Sequence, residues 1–223
     1  MRPGHSFHSE SIIMKKLIPL AAVLASAFSL QAQAALINDV TLLPAPSTTV
    51  DFEAYDGFIT TGPEALTADV IFTGDTGSQL GAFIADLNQN GLWGAGNKFA
   101  ASDFVGELRF TFANGGLTSG AGAFVNHYAD GVQPFAIEVT AYGADDVFLE
   151  THLLVVDTAP DSLNAGQFVG IIRPTADIRS ISFKGVIVVD DFSYAAPVPE
   201  ASTWAMMGAG LMAIGALARR RRV

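Results

Sequence analysis

Residues 104–112 read FVGELRFTF, and their alternation decides the fold. Leu108, Phe110 and Phe112 fall on one face of an extended chain, with Arg109 and Thr111 on the other, because successive strand side chains point to opposite sides. A helix would scatter the same residues around its circumference. Residues 134–142, PFAIEVTAY, repeat the pattern, with Phe135, Ile137 and Val139 opposite Glu138 and Thr140. Working outward, TTVDFE (48–53), DVIFTG (69–74), LGAFIAD (80–86), GAFVNHY (122–128), VFLETHLLVVD (147–157), QFVGIIR (167–173), IRSISFK (178–184) and VIVVDDFSY (186–194) are further short candidates. Gly, Asn and Asp turns separate them, and no helix-length amphipathic segment intervenes. The pattern predicts an all-β domain, an antiparallel β-sandwich, with a closed barrel as the structural alternative. LLPAPSTT (42–49) and YAAPVPE (194–200) read as linkers entering and leaving it.

Charge narrows the partners. Between Ala35 and Pro199 there are twenty Asp/Glu against five Lys/Arg, namely Lys98, Arg109, Arg173, Arg179 and Lys184. A polyanion needs a basic footprint, so the balance argues against nucleic acid or anionic lipid as a partner, and no nucleic acid is expected. The balance favours solubility, cations and neutral ligands. The chain has no cysteine, which removes disulfides, thiolate metal sites and cysteine nucleophiles.

Both ends read as addresses. Lys15 and Lys16 precede the apolar run Leu17–Leu30, and Ala32-Gln33-Ala34 forms an A-x-A cleavage site. These parts, in this order, predict a secretory signal peptide with Ala35 as the mature start, and Met14 as the initiator. At the other end Ala201–Ala218 carries no charge over 18 residues, roughly 27 Å as a helix. A hydrocarbon core is about 30 Å thick, so a single transmembrane helix is expected at about 202–218. Arg219, Arg220, Arg221 and Arg222 then act as the cytoplasmic stop, leaving the acidic body on the far side of the inner membrane. The expected domains are 1–34, 35–196 and 197–223.

Val198-Pro199-Glu200, Trp204, a Gly/Ala/Leu-rich span and the arginine cluster together resemble the PEP-CTERM sorting signal of Gram-negative bacteria. Ala201 stands where that family most often has a second proline. The resemblance implies recognition by an exosortase, export with transient anchoring, a final place at the cell surface or outside it, and a host that secretes exopolysaccharide or forms biofilm. The body also resembles those found before other such tails, in GLWGAGNKFAASDFVGELRFTFANGG (91–116), GAFVNHY and VIVVDDFSY. Bodies of this sort look related to jelly-roll and carbohydrate-binding-module sandwiches.

Little in the body suggests catalysis. His127 and His152 lie within apparent strands, and no G-x-S-x-G, H-E-x-x-H or phosphate-cradling loop is present. The expectation is a non-enzyme. The acidic pairs are the best chemical candidates: Asp51 and Glu53 in the first strand, Asp190 and Asp191 in the last. Asp190 is in phase with Val186, Val188, Phe192 and Tyr194, and a buried carboxylate needs a partner or loses its charge. With so few basic groups, a cation is the natural partner, and oxygen ligands point to Ca²⁺. The resemblance to sandwich modules with calcium between first and last strands points the same way. DLNQNG (86–91) matches the first half of an EF-hand loop, but its twelfth position is Asn97 rather than the bidentate Glu. Trp93, Tyr128 and Tyr142 are candidates for a sugar-stacking platform, which makes a calcium-assisted carbohydrate-binding module the alternative function, with a secreted glycoside hydrolase working through paired carboxylates the second alternative.

Overall fold

The computed structural model describes residues 34–83, 98–102, 106–126, 135–156, 166–199 and 211–212. Within them the chain forms β1 (Ala35–Ile37), β2 (Ser47–Val50), β3 (Phe58–Ile59), β4 (Glu64–Ala65), β5 (Val70–Gly74), β6 (Gln79–Phe83), β7 (Lys98–Ala101) and β8 (Gly106–Phe112). There follow β9 (Gly116–Leu117), β10 (Gly120–Asn126), β11 (Phe135–Tyr142), β12 (Phe148–Val156), β13 (Gln167–Ile172), β14 (Ser180–Gly185), β15 (Val188–Ala195) and β16 (Val198–Pro199). Every pairing between them is antiparallel.

An eight-stranded sheet runs β1-β13-β10-β15-β7-β6-β3, with β2 also on β15, and a six-stranded sheet runs β12-β11-β14-β8-β5-β4. The opening motif behaves as its alternation requires: along β8 buried Leu108, Phe110 and Phe112 alternate with half-buried Glu107, Arg109 and Thr111. One core joins the inner faces of both sheets, drawing Phe72, Phe110 and Phe183 from the six-stranded sheet and Val125, Val189 and Phe192 from the other. This is a two-layered sandwich, which buries the apolar face of each sheet against the other. Phe110 is its centre. Its ring stacks on Phe192 across the layers at 4.1 Å between centroids and touches Phe72 and Phe183 within its own sheet. Phe112 meets Tyr194 in the same cross-sheet sense.

Both expected linkers prove to be structured. Val40–Leu42 is a short 3₁₀ turn capped by Asp39, and Ser47–Thr49 belongs to β2. Tyr194 and Ala195 complete β15, and Val198–Pro199 pairs with β9. Proline-rich composition marks where hydrogen bonds are missing along a strand, not where the strand must end. The short strands β1, β3, β4, β7, β9 and β16 were absent from the sequence reading, since two to four residues hold too little alternation to register.

Among the described residues no helix is long and apolar enough to cross a membrane. The expected span at about 202–218 lies outside the described residues except for Leu211 and Met212, which are helical. The signal segment, Ala32 included, also lies outside them except for Ala34, and Ala35 opens β1.

Candidate functional site

Two places could carry function, and β15 supplies both. The first is an acidic break in the eight-stranded sheet. One edge of β15 pairs with β10 alone, but the other is shared: β7 takes Val188 and Val189, and β2 takes Phe192 to Ala195. Asp190 and Asp191 fall in the interval between them. There the register against β10 also slips, from Phe124↔Asp190 to Gly122↔Ser193. Asp191 and Phe192 thus stand opposite the one residue Ala123, and Asp191 is in the left-handed region at φ 47°. This is a β-bulge.

The bulge changes the phase of the strand. Before it Ile187 and Val189 enter the core; after it Phe192 and Tyr194 do. Asp190 is therefore not in phase with Phe192 and Tyr194, as strict alternation had suggested. It lies on the opposite face of the sheet from them, still only 7% exposed. Because Val50 is opposite Phe192, the chain leaving β2 carries Asp51 and Glu53 toward the same gap. Phe52 between them sits at φ 57° with its ring in the core. For a bulky residue that conformation is an outlier, and it anchors the turn on which both acids stand.

The four acids that the sequence singled out are thus neighbours. Burial, first, and then the charges of Asp191, Glu53 and Asp51 push the Asp190 carboxyl up to about 8, against an opposing hydrogen bond from the Asp191 backbone N–H to Oδ1 at 2.8 Å. Asp191 is also raised, by burial and then by Asp51 and Glu53. Asp51 Oδ1 accepts from the Glu53 N–H at 3.2 Å, and Glu53 Oε1 accepts from the Lys98 N–H at 2.8 Å. Among the described residues no three His, Asp or Glu side chains converge closely enough to hold a metal ion. The arrangement disfavours a bare negative charge on Asp190.

The other candidates are less concentrated. Trp93, Tyr128, His127, Asn97 and DLNQNG lie outside the described residues. Tyr142 is half-buried with the Arg109 guanidinium 4.3 Å above its ring, so a cation already covers one stacking face. His152 Nε2 is 3.1 Å from Glu150 Oε2. Glu150 Oε1 accepts from Arg173, whose guanidinium also grips Asp177 through two bonds of 2.5 and 2.8 Å. Arg173 follows β13 and Glu150 lies on β12, so this network ties the margin of one sheet to that of the other.

The second place is where the chain leaves the body. Thr118, fully buried, donates from Oγ1 to Ala195 O at 2.7 Å. The Ala196 N–H donates to Pro46 O at 2.9 Å. Val198 then pairs with Leu117, and Pro199 with Gly116. Arg179 holds the other strand of this ladder, donating to Phe112 O and, at 3.3 Å, to Gly116 O. The sequence offered no signal for β9, a two-residue strand whose partner lies some eighty residues away.

Residues 197–222 match the PEP-CTERM protein-sorting motif. The sorting motif therefore begins one residue before this ladder and runs through it, and it includes Glu200 and Arg219–Arg222, which lie outside the described residues. It implies an exported protein processed at the membrane by an exosortase. No curated protein matches the chain. Among solved structures, the CBM22-1–GH10 modules of the Clostridium thermocellum N-terminal endo-1,4-β-D-xylanase 10B, complexed with xylohexaose, are similar at 14% identity over 66% of this chain, with a TM-score of 0.28. This chain spans 27% of the length of that one, and a likeness so slight carries no argument about fold or ligand.

Proposed function

We propose that this is a non-catalytic protein of the cell surface or extracellular matrix. It is exported by an N-terminal signal ending at Ala34, held at the inner membrane by a helix near 202–218 with Arg219–Arg222 as its stop, and released when an exosortase processes the tail at Val198-Pro199-Glu200. The single observation that carries this reading is the sorting motif at residues 197–222. The strongly acidic, jelly-roll-like body suits a hydrated exopolysaccharide or biofilm, where like charges keep protein and matrix soluble. The mass of the protein in a host with and without its exosortase tests the reading. Loss of the tail only in the presence of the enzyme, with the trimmed body outside the cytoplasm, is expected. The same untrimmed mass in both hosts, or a cytoplasmic body, refutes it.

A second reading concerns the acidic break. Asp190 is buried among three like charges, which a proton or a bound Ca²⁺ would relieve. The proton is favoured, because no three of the described carboxylates converge on a common point. Calorimetric titration with Ca²⁺ at pH 8 distinguishes them: micromolar heat that vanishes in Asp190→Asn would establish the ion instead.

A further inference from the structure

The start of the sorting motif is folded onto the body, and a processing enzyme cannot use it there. Any enzyme that cuts or transfers a peptide must take the segment in extended form, with its backbone groups available to the active site. In this structure Val198 and Pro199 are paired with Leu117 and Gly116. The preceding residues are pinned in series, Ala196 by Pro46 O and Ala195 by the Thr118 hydroxyl. We propose that β9 is a latch on the sorting motif, and that the tail is processed only from a state in which β16 has peeled away. The inference rests on the reading that an exosortase processes this tail.

The pairing is short. It involves two residues on each side, one of them a proline that has no N–H to donate, and Val198 is 47% exposed. Such a ladder opens locally without unfolding the sandwich. When opening and closing are fast relative to cutting, the rate of cutting follows the population of the open state. The latch then acts as a rate-setting element built into the body, outside the motif itself. It delays loss of the membrane anchor and makes that loss responsive to anything that loosens β9.

Gly116 offers a lever that leaves the motif untouched. Its backbone, at φ −61° and ψ 141°, accepts any residue. A Cβ built there would lie 3.1 Å from the Pro197 Cβ and 3.1 Å from Ala113 O, tighter than ordinary van der Waals contact, so the exiting strand or the turn before it has to give by a few tenths of an ångström, and by more for a branched side chain. The experiment is a pulse-chase of the full-length chain in a host with an active exosortase, comparing wild type, Gly116→Ala and Gly116→Val. Tail loss is expected to quicken several-fold in Gly116→Val, with Gly116→Ala between it and wild type, while the melting temperature of the trimmed body stays within a few degrees. Equal or slower loss in both variants overturns the latch, even as wild-type trimming upholds the functional reading. Failure of the wild type itself to be trimmed overturns the reading and the latch together. If Gly116→Val does not fold, the comparison of Gly116→Ala with wild type decides by the same criterion.

Discussion

Replacing Asp190 by Asn should make the protein more stable at pH 8 and largely remove one component of its pH dependence. The sign follows from the direction of the shift. The carboxyl titrates near 8 in the folded chain and near 3.8 when unfolded, so between these values the folded state holds a proton that the unfolded state has released. The stabilisation is fully present below the unfolded value and is lost as pH rises through the folded one. Loss approaches about 1.4 kcal/mol per pH unit inside that window, at most about 6 kcal/mol across it. Between pH 5 and 7 this amounts to roughly 2–3 kcal/mol, or a fall in melting temperature of roughly 5–10 °C for a domain of this size. Asp191, raised by the same burial and neighbours, acts in the same direction. Asp39, lowered by its bonds to Thr41, acts below its ordinary range and outside this interval. Urea denaturation of wild type and Asp190→Asn at pH 5, 6, 7 and 8 measures the effect. The amide keeps the size of the carboxyl and cannot ionise, so the two curves should already stand apart by roughly 1–2 kcal/mol at pH 5 and diverge further toward pH 8. A wild-type profile that is flat from pH 5 to 8, or an Asn variant less stable at pH 8, refutes the reasoning.

Phe110→Ala should lower stability by about 3–5 kcal/mol in the same urea assay, because the ring is fully buried and packs on Phe72, Phe183 and Phe192 at once. Arg173→Met should cost about 1–3 kcal/mol by leaving Glu150 and Asp177 without their guanidinium, and faster amide exchange should appear first along β12 and β13. Gly122→Val should prevent folding, read as loss of a cooperative melt, since a Cβ there would stand 2.6 Å from the Gly170 Cα and from Val169 O.

The strands legible in the sequence were those long enough to alternate. β8, β11 and β14 declare an apolar face every second residue, and the core takes Phe110, Ile137 and Phe183 from those faces. The sorting motif was equally legible, because it is linear: tripeptide, uncharged span and arginine cluster follow one another in the order of the chain. The sequence offered the four acids as one candidate site, and the structure brings them near one another, but the phase expected for Asp190 does not hold. Alternation assumes an unbroken ladder, and the bulge opposite Ala123 inserts one residue and turns Asp190 to the other face.

Sequence alone therefore determined that the body is antiparallel β structure, that it is strongly acidic, and that its tail carries an address. These depend on local period and composition, which no distant residue can alter. Tertiary structure alone decided that Asp51 and Glu53 reach Asp190, that β15 is shared between β7 and β2, and that Val198 and Pro199 lie against Leu117 and Gly116. Pairing and register are settled between segments more than seventy residues apart, by which edges remain open once the core has closed.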